Sequence, residues 1–295
     1  MGYAVTIGVY DGLHIGHQEI LKKLNEIAKE KGLTTKVYSI LYPMEYYSSD
    51  FEGLLVTPQE RMVMLQEYVE EVEFLDLAEI FHLTPESFFQ FLLENDTKVI
   101  VVGEDFRYGY KGAGSVATLK ESSKKYGIEL YVIKDILCED GVRVSSSMIR
   151  KLLSQGNTRR VRNLLGKYYK FSGRVYKNTG LGRKLGYPTA NVDRGHERLI
   201  VPKLGVYFSK VRIGNETFFG VTNIGRRPTV KEEDTVKYET YILDFDRDIY
   251  GRRIEIELVE YLRKEKKYSS LEELKRAISQ DVKRVRELVK GWKER

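Results

Sequence analysis

Residues 5–17, VTIGVYDGLHIGH, decide the fold of the first half of the chain. Val5 to Val9 form an apolar, β-branched run, the pattern of a buried strand. A turn rich in glycine follows, and from about Gln18 to Glu30 apolar residues recur at helical intervals. A strand that passes through such a turn into a helix opens a βαβ unit. The turn then lies at the carboxyl edge of a sheet, where open α/β sheets bind their ligands. The rhythm continues with a strand at Lys36 to Leu41 and with two helix starts. Thr57-Pro58-Gln59-Glu60 has the N-cap, first-turn proline and glutamate of a capping box, and Thr84-Pro85-Glu86 opens a helix in the same way. Lys98 to Val102 and Glu129 to Ile133 are nearly continuously apolar, as strands covered on both faces of a parallel sheet must be. The first half is expected to be a doubly wound α/β domain.

Beyond Ser145 to Ser147, which can cap a helix, the pattern is helical to Leu153, pauses at Gly156 and resumes to Leu165. From Tyr168 the period changes to two. Strands are expected at Tyr169 to Tyr176, Gly205 to Ile213, Thr217 to Ile224, Val236 to Phe245 and Ile254 to Tyr261, with no helix between them. Short connections make such strands antiparallel, and five or more of them favour a small barrel or a sandwich. Leu271, Leu274, Ile278, Val282, Val285, Val289 and Trp292 then recur at three- and four-residue intervals, a helix with one apolar stripe for docking on its own domain. The division is placed at 1–157 and 158–295.

Composition agrees with two globular domains. The 295 residues are 42% hydrophobic and 31% charged, and 6 Pro with 25 Gly exclude collagen-like and low-complexity chains. No apolar run approaches the roughly 18 residues of a membrane span, and the first ten residues read as a strand rather than a leader, so a cytoplasmic protein is expected. The single cysteine, Cys138, excludes an internal disulfide. A net charge of +6 favours anionic partners, but both signs are interspersed and no basic stripe or nucleic-acid motif is present. Small phosphorylated ligands suffice. The excess of Lys, Glu and Arg is a thermophile-like trait.

Chemistry concentrates in two places. His14 and His17, three residues apart at a helix start, share a face beside free backbone N–H groups and the positive end of the helix dipole. An anion fits there. If it is a nucleoside triphosphate, the imidazoles can donate to phosphate oxygens as pyrophosphate departs, and Gly12 and Gly16 permit close approach. A capping histidine pair, or two ligands of a metal site, are the alternatives; His82, His196 and Cys138 are the other candidate ligands. Two segments converge on the same edge: Gly103 to Gly109 (GEDFRYG), and Val144 to Arg150 (VSSSMIR), which offers hydroxyls and Arg150. In the second half, Gly180 to Asn191 (GLGRKLGYPTAN) lacks the order of a P-loop. Its glycines with Arg183 and Lys184 can cradle phosphates, and Thr189 and Asn191 supply hard oxygens for magnesium; a hairpin with a rigid proline turn is the equal alternative. Glu239 is a lone carboxylate in a strand, a residue that ordinarily just faces outward.

These residues carry a resemblance. GVYDGLHIGH, VVGEDFRYG and VSSSMIR, in that order and spacing, resemble the FMN adenylyltransferase domain of bacterial bifunctional FAD synthetases, also called riboflavin kinase/FMN adenylyltransferases. GRKLGYPTAN, GVYF, GVTNIGRRPTV, YETYILDF and IYG resemble, in order, the riboflavin kinase domain of the same family. The resemblance implies a Rossmann-like nucleotidyltransferase domain followed by a six-stranded antiparallel Greek-key barrel with a C-terminal helix. It implies ATP at Gly8, Tyr10, Asp11, His14, His17, Asp105, Ser146 and Arg150, with His14 and His17 catalytic. A second ATP is implied at Gly180, Gly182, Arg183, Lys184, Thr189 and Asn191, with Mg2+ on Thr189 and Asn191 and Glu239 as general base. Tyr10 replaces the family's usual Phe, Asp105 a common Asn, and Ser147 a common Thr. The implied reactions are riboflavin plus ATP to FMN plus ADP, then FMN plus ATP to FAD plus pyrophosphate. Between them FMN is expected to leave by diffusion, an expectation separate from the resemblance. No nucleic-acid, membrane or obligatory protein partner is expected.

Overall fold

The computed structural model describes residues 2–138, 140–178, 180–227 and 235–292. They form two compact units, Met1–Met148 and Ile149–Arg295.

The first unit begins with β1 (Tyr3–Gly8), α1 (Ile15–Lys31), β2 (Thr34–Ile40), α2 (Pro58–Gln66) and β3 (Glu71–Leu75). It continues with α3 (Leu77–Ile80), α4 (Pro85–Glu94), β4 (Thr97–Gly103), a short hairpin of β5 (Arg107–Tyr108) and β6 (Gly114–Ser115), α5 (Val116–Tyr126) and β7 (Glu129–Ile133). Its sheet is parallel, in the order β3-β2-β1-β4-β7, so β1 is central. Alternate residues of the inner strands face opposite cores. Ala4, Val37, Val99 and Val101 pack with Leu21, Leu24 and Ile27 of α1 and with Met64 and Leu65 of α2. Val5, Ile7, Ile100 and Val102 pack with Phe88, Phe89 and Leu92 of α4 and with Leu119 of α5. The capping box at Thr57 is formed in full, and Thr84 caps α4.

Two boundaries differ from expectation. β1 ends at Gly8 and α1 starts at Ile15, ahead of Gln18, because His14 itself is the N-cap. β3 and α5 were not expected. β3 (EVEFL) is an edge strand with glutamates on its half-exposed positions, and α5 buries only Leu119 and Ser123, too narrow a stripe to read.

α6 (Ser146–Gln155) runs across the division between the units. The second unit continues with α7 (Thr158–Leu165), β8 (Tyr169–Tyr176), α8 (Leu181–Lys184), β9 (Thr189–Asp193), β10 (Gly205–Ile213), β11 (Glu216–Arg227), β12 (Thr235–Ile242), β13 (Arg253–Arg263) and α9 (Leu271–Lys290). The six strands close into an antiparallel barrel in the order β10-β11-β12-β9-β8-β13. The connections β9 to β10 and β12 to β13 join strands that are not neighbours, as in a Greek key. The expected absence of helices between strands is corrected by α8. Residues 180–187 form one helical turn closed by Lys184 N–H on Gly180 O and Tyr187 N–H on Gly182 O, and Thr189 then starts a strand instead of finishing a hairpin. Pro228, Thr229 and Val230 lie outside the described residues.

Ser209, Thr222 and Thr240 on one barrel face are fully buried, and their hydroxyls are linked at 2.7 and 2.9 Å, so no polar group there is left unanswered. On the opposite face Val206, Phe208 and Val221 receive α9 through Val282 and Val285, with Ile278 and Trp292 packed against them. Trp292 meets Phe208 and Phe219 edge-on, at 5.4 and 5.6 Å between ring centroids. No described helix is long and apolar enough to cross a membrane.

Trp292 is the single tryptophan of the chain, so its emission reports unfolding of the second unit alone. Val285 is fully buried, and Val285→Ala is expected to lower the stability read by that emission by about 2 kcal/mol, from two lost methyl groups plus the cavity. A denaturation midpoint unmoved by the substitution would show that α9 is not docked as described.

Candidate functional sites

The first site is built on the turn between β1 and α1. Tyr10, Gly12 and Leu13 have φ of 57°, 82° and 45°, so two non-glycine residues sit in the left-handed region. Gly12 is required twice over, since a Cβ there would lie 2.6 Å from Leu55 Cδ1. The Tyr10 ring is buried, with its hydroxyl 2.5 Å from Thr6 Oγ1, so it contributes packing rather than an exposed contact. Asp11 is also buried. Its carboxylate accepts the N–H groups of Leu55 at 2.9 Å and Val56 at 3.2 Å, and its carbonyl accepts the Ser146 hydroxyl at 2.8 Å. The Asp11 side chain thus binds the loop before α2, whereas the family resemblance placed it on ATP. Gly8 closes β1 directly before this turn.

His14 Nδ1 accepts the backbone N–H of His17 at 3.3 Å, and the two rings stack at 3.6 Å with 19° between planes. An accepting Nδ1 leaves the proton of the neutral His14 ring on Nε2, so the ring donates from that atom. Burial pushes the His14 pKa down to about 4, the Arg143 cation adds to the effect and Asp105 opposes it. His17 is held well below its ordinary value by burial, then by His14, Arg143 and Arg61. Both rings are therefore neutral donors at pH 7 in a positive local field, which suits an anionic ligand.

Asp105 Oδ2 pairs with Arg143 Nη2 at 2.5 Å, and Arg143 Nε lies 3.4 Å from Asp135. Arg143 is a site residue that the sequence motifs did not include. It precedes Val144 in a stretch without periodicity, and only the fold brings it to Asp105 and the histidines. Ser145 caps α6 through the Met148 N–H, and Arg150 lies buried one turn beyond Ser146, past the division between the units. Among the described residues no group of three or more His, Cys, Asp or Glu is gathered as a metal ion would require.

The second site is a matter of strand register. Glu239 of β12 faces Asn191 of β9 on one side and Asn223 of β11 on the other, and Tyr176 of β8 pairs with Asn191 beyond it. Two positions along, Tyr241 stands between Thr189 and Val221. Thr189, Asn191, Asn223, Glu239 and Tyr241 all line one cavity of about 730 Å³ between the barrel wall and Leu274, Ile278 and Asp281 of α9. Gly180, Gly182 and Arg183 line it too, whereas Lys184 is exposed and does not. Lys177, Arg226, Lys237 and Lys266 add positive charge, and Arg263 with Asp281 form a two-pronged pair at 2.9 and 2.6 Å. Asn191 Oδ1 accepts from Asn178 at 2.8 Å, which orients that oxygen and leaves it a second lone pair. Asn223 belongs to the GVTNIGRRPTV segment, where no local pattern marks it, and cross-strand pairing alone places it beside Glu239.

The FAD synthetase family matches residues 1–148 and the riboflavin kinase family residues 165–289. The bifunctional riboflavin kinase/FMN adenylyltransferase of Haemophilus influenzae is 34% identical over 95% of this chain and 92% of its own. That of Escherichia coli K12 is 35% identical over 97% and 92%. The chain belongs to this bifunctional family. The two family matches fall in the same order as the two sites, the histidine turn in the first and the Glu239 cavity in the second. A solved structure described as a macrolide-efflux protein from Streptococcus pneumoniae has the same fold throughout, with a TM-score of 0.86 and 27% identity over 97% of this chain and 94% of that one.

A pH dependence follows from His14. The unfolded chain protonates this ring near its ordinary 6.5, and the folded unit resists until about 4. Stability of the first unit is expected to fall as pH drops from 6.5 to 4, and His14→Asn, whose side-chain oxygen can cap in place of Nδ1, should flatten that slope. Hydrogen exchange of β1 and β4 amides across this range is the measurement; identical slopes would remove His14 as the cause. In the second site a Cβ on Gly182 would lie 2.5 Å from Tyr187 O and 3.1 Å from Thr189 Oγ1. Gly182→Ala should therefore displace Thr189 and lower phosphate transfer from ATP by about 10-fold or more, while Gly291→Ala, whose backbone is not left-handed and whose Cβ would meet nothing nearer than Leu288 O at 3.7 Å, should not.

Proposed function

We propose that the two sites divide one synthesis: the Glu239 cavity makes FMN from riboflavin and ATP, and the histidine turn makes FAD from FMN and a second ATP. The protein is a transferase with both activities, riboflavin kinase in the C-terminal part and FMN adenylyltransferase in the N-terminal part, as membership of the family and the order of its two matches indicate. The observation that carries the site assignment is the register that sets Glu239 between Asn191 and Asn223 on the wall of a cavity large enough for a nucleotide and a flavin.

In the kinase reaction Glu239 accepts the proton of the terminal ribityl hydroxyl as its oxygen attacks the γ-phosphorus of ATP, and ADP leaves. Gly180, Gly182 and Arg183 hold the phosphates, with Lys177 and Arg226 adding charge from the same cavity, while Lys184 stays outside its lining. Thr189 Oγ1 and Asn191 Oδ1, two residues apart on one strand face, are hard oxygens that fit Mg2+. Bound there, the ion would neutralise charge on the transferring phosphates. The apolar walls of Val206, Val221, Leu274 and Ile278 suit the flavin ring.

In the adenylyl transfer a phosphate oxygen of FMN attacks the α-phosphorus of ATP and the bond to the bridging oxygen breaks, releasing pyrophosphate. His14 donates from Nε2 to the oxygens on which charge grows, and His17 stacks behind it as a second donor. Ser146, Arg150 and the Arg143–Asp105 pair complete the phosphate and nucleotide contacts, with Gly8, Tyr10 and Asp11 shaping the turn. No covalent enzyme intermediate is needed. The functional domains are assigned as 1–157 and 158–295, which keeps all of α6, with Ser146 and Arg150, in the first. The protein works in the cytoplasm on small molecules, with no nucleic-acid, membrane or obligatory protein partner, and FMN is released between the two steps.

Purified protein with riboflavin, ATP and magnesium should form FMN first and FAD second, resolved by chromatography over time. His14→Ala should lose FAD formation by about 100-fold and keep FMN formation. Glu239→Ala should lose FMN formation by about 100-fold while converting supplied FMN at the normal rate. Equal loss of both activities in either variant would contradict the assignment.

A further inference from the structure

The turn that presents His14 and His17 is strained, and strain of this kind persists only where surrounding groups over-determine the backbone. Asp11 binds it to Leu55 and Val56, and Ser146 donates to its carbonyl. One more charged group acts on the same turn. Arg61 of α2 is 1% exposed, donates from Nη1 to Val9 O and from Nη2 to Leu41 O, and stacks over Phe74 at 5.1 Å. Val9 directly follows β1 and Leu41 directly follows β2, so a single planar guanidinium spans the carboxyl ends of two adjacent parallel strands. Val9 O also receives the Ser39 hydroxyl at 3.2 Å. The carbonyl before the first left-handed residue is thereby held from two directions.

We propose that Arg61 is a positioning residue for adenylyl transfer: by tying the ends of β1 and β2 together it fixes the left-handed turn at 10–13 and hence the placement of His14 and His17. The proposal rests on the reading of that turn as the adenylyl-transfer site. A cation buried this completely carries a desolvation cost that an apolar residue filling the same space would avoid, so Arg61 is a poor choice for stability alone. What the guanidinium adds is two donors at a fixed angle, which neither Lys nor Met reproduces. Arg61 also acts on the histidines through its charge. His17 is faced by His14, Arg143 and Arg61, and by the Tyr10 ring at 4.9 Å, while Asp105 opposes Arg143 at His14; removing the Arg61 cation eases protonation of His17.

The experiment compares Arg61→Met and Arg61→Lys with His14→Ala in the full chain, reading pyrophosphate release from FMN plus ATP across pH 4 to 8 and riboflavin phosphorylation as the internal control. Arg61→Met is expected to lower adenylyl-transfer kcat/KM by about 30-fold or more, with kinase rates kept, and to move the acid limb to higher pH. Arg61→Lys keeps the charge but not the two-carbonyl bridge, so it should lower the rate by about 10-fold and leave the acid limb where it is. A purely structural role would lower the amount of active protein without moving that limb. Should Arg61→Met fail to fold, Arg61→Gln removes the same charge and its acid limb decides. Wild-type rates and an unmoved limb in the variants that fold, beside an inactive His14→Ala, would overturn the proposal. An active His14→Ala would instead overturn the reading of the site.

Discussion

The buried carboxylate of Asp11 is the interaction on which the first site depends. A charge removed from water is tolerated only when fixed donors replace the lost hydration, and here the backbone N–H groups of Leu55 and Val56 do so. Each hydrogen bond to an ionised group contributes about 1.5–3 kcal/mol, enough to offset the strain of the left-handed residues around it. The consequence is directional. With its side chain turned to the loop before α2 and its carbonyl held by Ser146, Asp11 fixes the backbone that leads into the helix start at His14. Arg61 works on the preceding carbonyl in the same sense.

The second unit solves the placement problem with a closed sheet. Closing six strands into a barrel removes every edge and makes each residue's neighbours a matter of register. Because side chains alternate faces, a slip of one residue in β12 would send Glu239 to the hydroxyl-lined face and Thr240 to the cavity. The buried chain of Ser209, Thr222 and Thr240 works against that slip, since a carboxylate cannot enter it without losing solvation. The inward hydroxyls and the outward Asn191-Glu239-Asn223 row are therefore two faces of one constraint.

Both sites also show charge used sparingly. The histidines are neutral, and the cations near them are either buried on carbonyls, as Arg61 is, or paired with acids, as Arg143 is. Around the Glu239 cavity the lysines and arginines stay in a partly open setting, where they can meet phosphates without a large desolvation penalty. Arg263 is tied to Asp281 and joins the end of β13 to the middle of α9.

Local sequence determined most of the architecture. Periodicity separates the βαβ half from the strand-rich half because the periods of 3.6 and 2 are set by backbone geometry, and caps such as Thr57 and Thr84 act within one turn of chain. The HxGH pair, the serines at 145–147 and the PTAN segment are contiguous, so their motifs were legible too. β3, α5 and α8 were not, since edge position, a narrow stripe or a glycine-rich turn leaves no clear period. The tertiary structure alone decided the tasks of Asp11 and Arg61, the approach of Arg143 to Asp105, and the company Glu239 keeps. Each of these is a contact between residues distant in sequence, and no local pattern records which N–H group, carbonyl or neighbouring strand a side chain will meet once the sheet and the barrel have closed.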